Sequence, residues 1–169
     1  MVHDVVKELG HLALGTRLKR LGERFQAQTQ VLLDQAGIDL PASHFPLLVA
    51  LDRLGTLSIG ELTQAVGTSQ PGVTRLVEKL IAVDLVRSAP SANDGRVRII
   101  ALTRTGRQLI ARSKRSALPL IEAAVADACD IPAQPLLVLL AALEDALAAR
   151  PLSSRAERAR VTEGSHAPS

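Results

Sequence analysis

Between Leu85 and Arg115 the chain carries eight Lys or Arg (Arg87, Arg96, Arg98, Arg104, Arg107, Arg112, Lys114 and Arg115) against one acid, Asp94. Guanidinium and ammonium groups at this density suit a polyanion, because each can neutralise one phosphate and release its condensed counterion. A charge run is more often a solvated face. What precedes this one changes the balance, since the segment 58–84 has the pattern of an element that would carry it to nucleic acid.

That segment opens with a capping box, Ser58-Ile59-Gly60-Glu61, in which hydroxyl and carboxylate each satisfy a free backbone N–H. Ile59, Leu62, Ala65 and Val66 follow at helical spacing, and Gly67 ends the helix as a residue free to take a positive φ. Thr68 or Ser69 caps a second helix running to about Val83, with Pro71 in its first turn. Two short helices joined by a tight turn form a helix-turn-helix, whose second helix enters a major groove. Leu85–Ser88 and Val97–Leu102 read as strands, and Asn93-Asp94-Gly95 is a strong hairpin signal between them. Gly55-Thr56-Leu57 is placed to add a third strand. A helix-turn-helix followed by a basic hairpin is a winged helix.

The flanks are helical. Leu14, Leu18, Leu21, Phe25 and Leu32 form one apolar stripe, and Val2, Val5, Leu9 and Leu12 an offset one, so the first 36 residues are expected to be a long helix. Gly37 and Pro41 end it, and Ser43 is a candidate cap for a helix carrying Phe45, Leu47, Leu48, Leu51 and Leu54. Thr103 is expected to cap a helix reaching about Ala128. Ile131-Pro132 begins another that ends near Arg150-Pro151, and residues 152–169 read as a disordered tail.

The fold class is therefore mainly α with a small β wing: a winged helix-turn-helix lobe plus N- and C-terminal helices forming a dimerisation lobe. The expected division is 1–40 as a dimerisation helix, 41–106 as the winged lobe, 107–150 as C-terminal dimerisation helices and 151–169 as tail. The apolar content of the terminal helices, Leu136 to Leu147 above all, asks for a second copy of the chain. A two-fold dimer is the commonest answer, and would set two recognition helices roughly 34–36 Å apart.

Composition excludes much else. Hydrophobic residues at 47% and charged residues at 22% describe an ordinary globular protein, and a net charge of +3 would not by itself suggest nucleic acid. One cysteine, Cys129, rules out an intrachain disulfide and, with no secretory pattern at the start, points to the cytoplasm. The longest apolar run, Leu136–Leu143, is too short for a bilayer, so no membrane partner is expected. With only Phe25 and Phe45 as aromatics, stacking on single-stranded bases is disfavoured. His3, His11, His44 and His166 are dispersed, and no phosphate loop, nucleophile elbow or HExxH run occurs, so neither an enzyme nor a metal or other cofactor is expected.

In this order and spacing the residues resemble the MarR family of bacterial transcriptional regulators. The match rests on Asp94-x-Arg96 followed by Leu102-Thr103-x-x-Gly106, on Thr74-Arg75-Leu76-Val77 with Leu80, and on Leu85-Val86, and it spans about residues 10 to 150. Two positions depart from the family: Asp84 stands where Gly is usual, and Ser88, with Arg87 beside it, where an Arg is frequent.

The resemblance implies that the second helix reads double-stranded DNA through Ser69, Gln70, Val73 and Thr74, with Arg75 and Lys79. By their chemistry, Gln70 suits adenine, Arg75 guanine or a phosphate, and Thr74 a phosphate or a thymine methyl. Val73 also belongs to the stripe Val73, Leu76, Val77 and Leu80, which reads as core. Arg87 and Arg98 join the basic wing, and Arg96 resembles the family's minor-groove arginine. Asp94 is better suited to orienting an arginine than to meeting phosphates. The family also implies a homodimer released from a pseudo-palindromic operator by a small effector, in a mostly aliphatic pocket with Arg17 or His11 as polar anchor. Two other readings stand beside this one: redox sensing through Cys129, and a winged helix used only for protein contacts. Metal sensing through His3 or His11 with Glu8 ranks below both.

Overall fold

The computed structural model describes residues 3–91, 96–129 and 133–157. It divides into two units, Met1–Glu122 and Ala123–Ser169. In the first unit α1 (Leu14–Gln35) is followed by α2 (Phe45–Leu54), β1 (Leu57–Ser58), α3 (Ile59–Val66), α4 (Gln70–Ala82), β2 (Val86–Pro90), β3 (Arg98–Leu102) and α5 (Arg104–Arg115). Helix α6 (Ala117–Cys129) runs from the first unit into the second, which also holds α7 (Ala133–Ala149).

The core of the first unit is assembled from one stripe of each element. Leu47, Leu48 and Leu51 of α2, Leu62 of α3, Val73, Val77 and Leu80 of α4, and Ile110 of α5 meet Val86, Ile100 and Leu102 of the sheet, all buried. Each fully buried Leu or Ile contributes about 1.5–3 kcal/mol. Leu33, Ile38 and Leu40 bring the end of α1 into the same cluster. Gln30 secures that junction by donating to the Leu40 carbonyl (3.3 Å) and accepting from the Ala42 N–H (2.7 Å).

The sheet order is β1-β3-β2, antiparallel throughout, with Leu57 opposite Ile100 and Ser88 opposite Ile100 on the other side. The expected third strand is therefore present. The capping box forms as read: the Ser58 hydroxyl accepts from the Glu61 N–H (3.2 Å), and Glu61 accepts from the Ser58 N–H (2.7 Å). Gly67 closes α3 in the left-handed conformation.

Several expectations are corrected. The N-terminal helix starts at Leu14, because residues 5–7 and 10–13 are 3-10 turns, the second beginning at Gly10 with φ +53°. Val5, Leu9 and Leu12 therefore do not form a helical stripe, and Leu12 is 90% exposed. Ser43 caps nothing. It lies in a 3-10 turn, Ala42–His44, and α2 starts one step later with Pro46 in its first turn. The helix after Thr103 breaks at Ser116, where φ is −118° and ψ −73°. Pro119 explains the break, since its ring would collide with the Arg115 carbonyl in a continuous helix. Residues 152–157 are helical rather than disordered, and Arg155 donates to the carbonyls of Arg150 (2.9 Å) and Ala146. The Asn93-Asp94-Gly95 turn and the tail from 158 lie outside the described residues.

Candidate nucleic-acid interface

Helix α4 has two faces with opposite chemistry. Val73, Val77 and Leu80 recur at i, i+4 and i+7 and are buried, with Leu76 half-buried beside them. Gln70, Pro71, Thr74, Arg75, Glu78 and Lys79 are exposed. Val73, at 0% exposure, is core and cannot touch a ligand outside the lobe, so its place among the contact candidates is withdrawn. Its helical spacing with Val77 and Leu80 outweighed its nearness to the helix start.

The start of α4 is built for an anion. Ser69 is the N-cap residue, yet its hydroxyl makes no capping bond, and Pro71 occupies the first turn. Unsatisfied N–H groups and the positive end of the helix dipole face outward there. Thr74 uses its hydroxyl proton on the Gln70 carbonyl (3.0 Å), which leaves its methyl and an oxygen lone pair for outside contacts. Lys79 lies near His44, in the turn before α2. Burial first, and then the nearby Lys79 charge, hold the His44 imidazole below its ordinary value of 6.5. His44 Nδ1 is itself buried with no hydrogen-bond partner among the described residues.

Glu78 was not anticipated. It sits on the exposed face one turn from Thr74 and Arg75, and an acid among expected phosphate binders is easily passed over. A carboxylate there can accept from a cytosine amino group, and it repels a phosphate.

In the wing, the register separates the two flanking arginines. Arg87 pairs with Ala101, whereas Arg98 shares the opposite face with Ser88 and Ile100. Arg98 donates from Nε to the Ser88 hydroxyl (3.0 Å) and from Nη2 to the Ser88 carbonyl (3.4 Å). The guanidinium thus lies over the β2 position where the family resemblance implies an arginine. Arg87 instead lines a shallow hollow with Asp52, Gly55, Thr56 and Arg107. Arg96 is exposed just before β3, and its expected partner Asp94 lies outside the described residues.

The exit from the wing is held by three contacts of one short segment. Thr103 accepts from the Gly106 N–H (3.0 Å) as N-cap of α5 and donates to the Asp84 carbonyl (2.6 Å). Thr105 donates to the Asp84 carboxylate (2.9 Å). Gly106 packs so closely on Leu85 that a Cβ would overlap the Leu85 carbonyl oxygen, so only glycine fits three residues after Thr103. Asp84, at φ +54°, is the one non-glycine residue in the left-handed region among the described residues, as its departure from the expected Gly required.

Two further hollows lie in the first unit. Gln26, Ser43, Pro46, Leu47, Val66 and Thr68 line a mainly aliphatic one, closed by Val73 and Leu76 of α4. Arg17 is not among them; it lines a separate basic hollow near the N-terminus, and His11 sits exposed in a 3-10 turn. Neither expected anchor therefore reaches the aliphatic hollow. His3 pairs with Glu8 without His11, and no three His, Cys, Asp or Glu converge on a metal site among the described residues. Cys129 is half-buried at the end of α6. No described helix is long and apolar enough to cross a membrane.

Comparison with known proteins agrees with this geometry. Residues 38–97 match the model of the MarR family. The chain is 32% identical over 109 residues to the HTH-type transcriptional repressor NicR of Pseudomonas putida, and the match spans 64% of each chain. Among solved structures, BpsR of Bordetella bronchiseptica, described for regulation of its DNA binding by 6-hydroxynicotinic acid, superposes with a TM-score of 0.65 at 23% identity, covering 79% of this chain and 92% of that one. The transcriptional repressor CouR, bound to a 23-mer DNA duplex, gives a TM-score of 0.65 at 25% identity, covering 80% and 96%.

Proposed function

We propose that the chain, whose residues 38–97 match the MarR family model, is a transcriptional regulator of that family, acting as a repressor, that binds double-stranded DNA with α4 in the major groove and the β2–β3 wing beside it. The observation that carries this reading is the exposed face of α4, where Gln70, Thr74, Arg75 and Glu78 line up opposite a fully buried stripe. Gln70 and Arg75 read base edges, Ser69 and the α4 N-terminus hold a phosphate, and Thr74 offers its methyl to thymine. Arg98 supplies the strand cation that Ser88 does not, and Arg96 enters the minor groove. Lys79 and Arg87 are peripheral phosphate contacts.

The acting species is a homodimer. Exposed Leu14, Leu18 and Phe25 mark α1, and exposed Leu137, Val138 and Leu139 mark α7, as surfaces that a second copy would cover. The effector site is the aliphatic hollow closed by Val73 and Leu76. A small aromatic acid, of the chemistry named for BpsR, would press on the buried side of the helix whose other side reads DNA. Gln26 is the polar group that orients it.

A binding-site selection from random duplexes with the purified protein tests the reading. Recovery of a two-fold symmetric consensus supports it. Failure to enrich any duplex would move the winged helix to protein contacts.

A further inference from the structure

We propose that the hollow between the N-terminal 3-10 turn and the first half of α1 binds a small multivalent oxyanion, a phosphate or a di- or tricarboxylate. Lys7, Arg17, Arg20 and Arg24 line it, with Asp4 and Leu21, around a space of about 200 Å³. Arg17, Arg20 and Arg24 follow one another at i, i+3 and i+7, and so share one face of α1. Lys7 comes from the turn Val5–Lys7 and converges on that face from outside the helix.

The charges in this hollow do not balance. Asp4 accepts both guanidinium nitrogens of Arg20 (3.3 and 3.1 Å), so one acid answers one arginine. No ion pair joins Lys7, Arg17 or Arg24 to any acid among the described residues. Like charges at i+3 and i+4 destabilise a helix, so the three arginines do not serve helix stability. An oxyanion with two or three carboxylate or phosphate oxygens would meet Arg17 and Arg24 through planar forks and Lys7 through a point charge. Asp4 already imitates such a ligand at Arg20. The space suits a small anion, and no residue of α4 or the wing lines it. It is also separate in chemistry from the aliphatic hollow at Gln26.

Calorimetry on the full chain at fixed ionic strength, with inorganic phosphate and citrate as probes and chloride as reference, decides the matter. Saturable binding of either probe is expected, and the stronger of the two tells phosphate from carboxylate chemistry. Arg17→Gln combined with Arg24→Gln should weaken it about tenfold, while Lys19→Gln, outside the hollow, leaves it unchanged. Asp4→Asn, which frees the Arg20 fork, should tighten it and keeps the test open if the double variant does not fold. Heats equal to chloride, unchanged binding by the double variant, or weaker binding by Asp4→Asn would each overturn the site. So would a loss of duplex affinity in the double variant with neither probe bound, which would assign these cations to nucleic acid.

Discussion

Thr105 donates its hydroxyl to the carboxylate of Asp84 across 2.9 Å, joining the first turn of α5 to the turn between α4 and β2. Asp84 holds φ at +54°, where an L residue is strained unless its side chain finds a local partner. Here the partner is 21 residues away, and Thr103 holds the Asp84 carbonyl beside it. The contact fixes where α4 stops and the wing begins.

Asp84→Ala keeps the strained φ and loses the bond, so urea unfolding should show a loss of about 1–2 kcal/mol. Asp84→Gly loses the bond but relieves the strain, and should stay within about 0.5 kcal/mol of the parent. Equal losses for the two variants would remove strain from the explanation.

Gly106→Ala forces a Cβ onto the Leu85 carbonyl, with the carbonyl carbon 3.1 Å away, and both neighbours are backbone. The expected cost is about 3 kcal/mol, visible as a fall in thermal midpoint. Gly60→Ala in α3, where the nearest atom lies at 4.0 Å, is the contrasting case and should stabilise slightly. A melting temperature unchanged by Gly106→Ala would contradict the packing described for the wing exit.

Glu61 accepts from the backbone and hydroxyl of Ser58, and these bonds, the backbone one first, lower its pKa from the ordinary 4.5. A folded pKa below the unfolded one means that the carboxylate stabilises the fold above pH 4.5 and ceases to do so as pH falls through the folded value. The urea midpoints of the parent and of Glu61→Gln should therefore differ at neutral pH and converge in acid. A gap that stays constant with pH would show that the charge of Glu61 plays no part.

Val73 and Gln70 separate stability from reading. Val73→Ala should cost about 1–3 kcal/mol of stability and leave the selected DNA consensus intact. Gln70→Ala, on the exposed face, should stay within about 0.5 kcal/mol and relax the consensus at one position per half-site. A consensus that survives Gln70→Ala removes this residue from the readers.

What could be read from sequence was local. The Ser58–Glu61 box, the α4 stripe from Val73 to Leu80 and the two wing strands each depend on residues a few positions apart. Readings failed where a single residue redirected the chain: Pro119 split α5 from α6, and Pro46 set the start of α2 in place of Ser43. Contacts between distant positions stayed hidden. Nothing near Asp84 announces Thr105, and nothing in the alternation of β3 says that Arg98 folds over Ser88. Glu78 was hidden differently, by the assumption that a surface expected to meet phosphates carries no acid.

The central claim, that α4 and the wing together hold duplex DNA, is tested most directly by fluorescence anisotropy of a labelled selected site across a salt series. The parent and Arg96→Ala would be compared, with Arg98→Ala beside them. The parent should show affinity falling linearly with salt on logarithmic axes, and each arginine variant should bind more weakly with a slope shallower by about one. Identical affinity for parent and variants at every salt concentration would contradict the wing's role, and salt-insensitive binding by the parent would contradict the account as a whole.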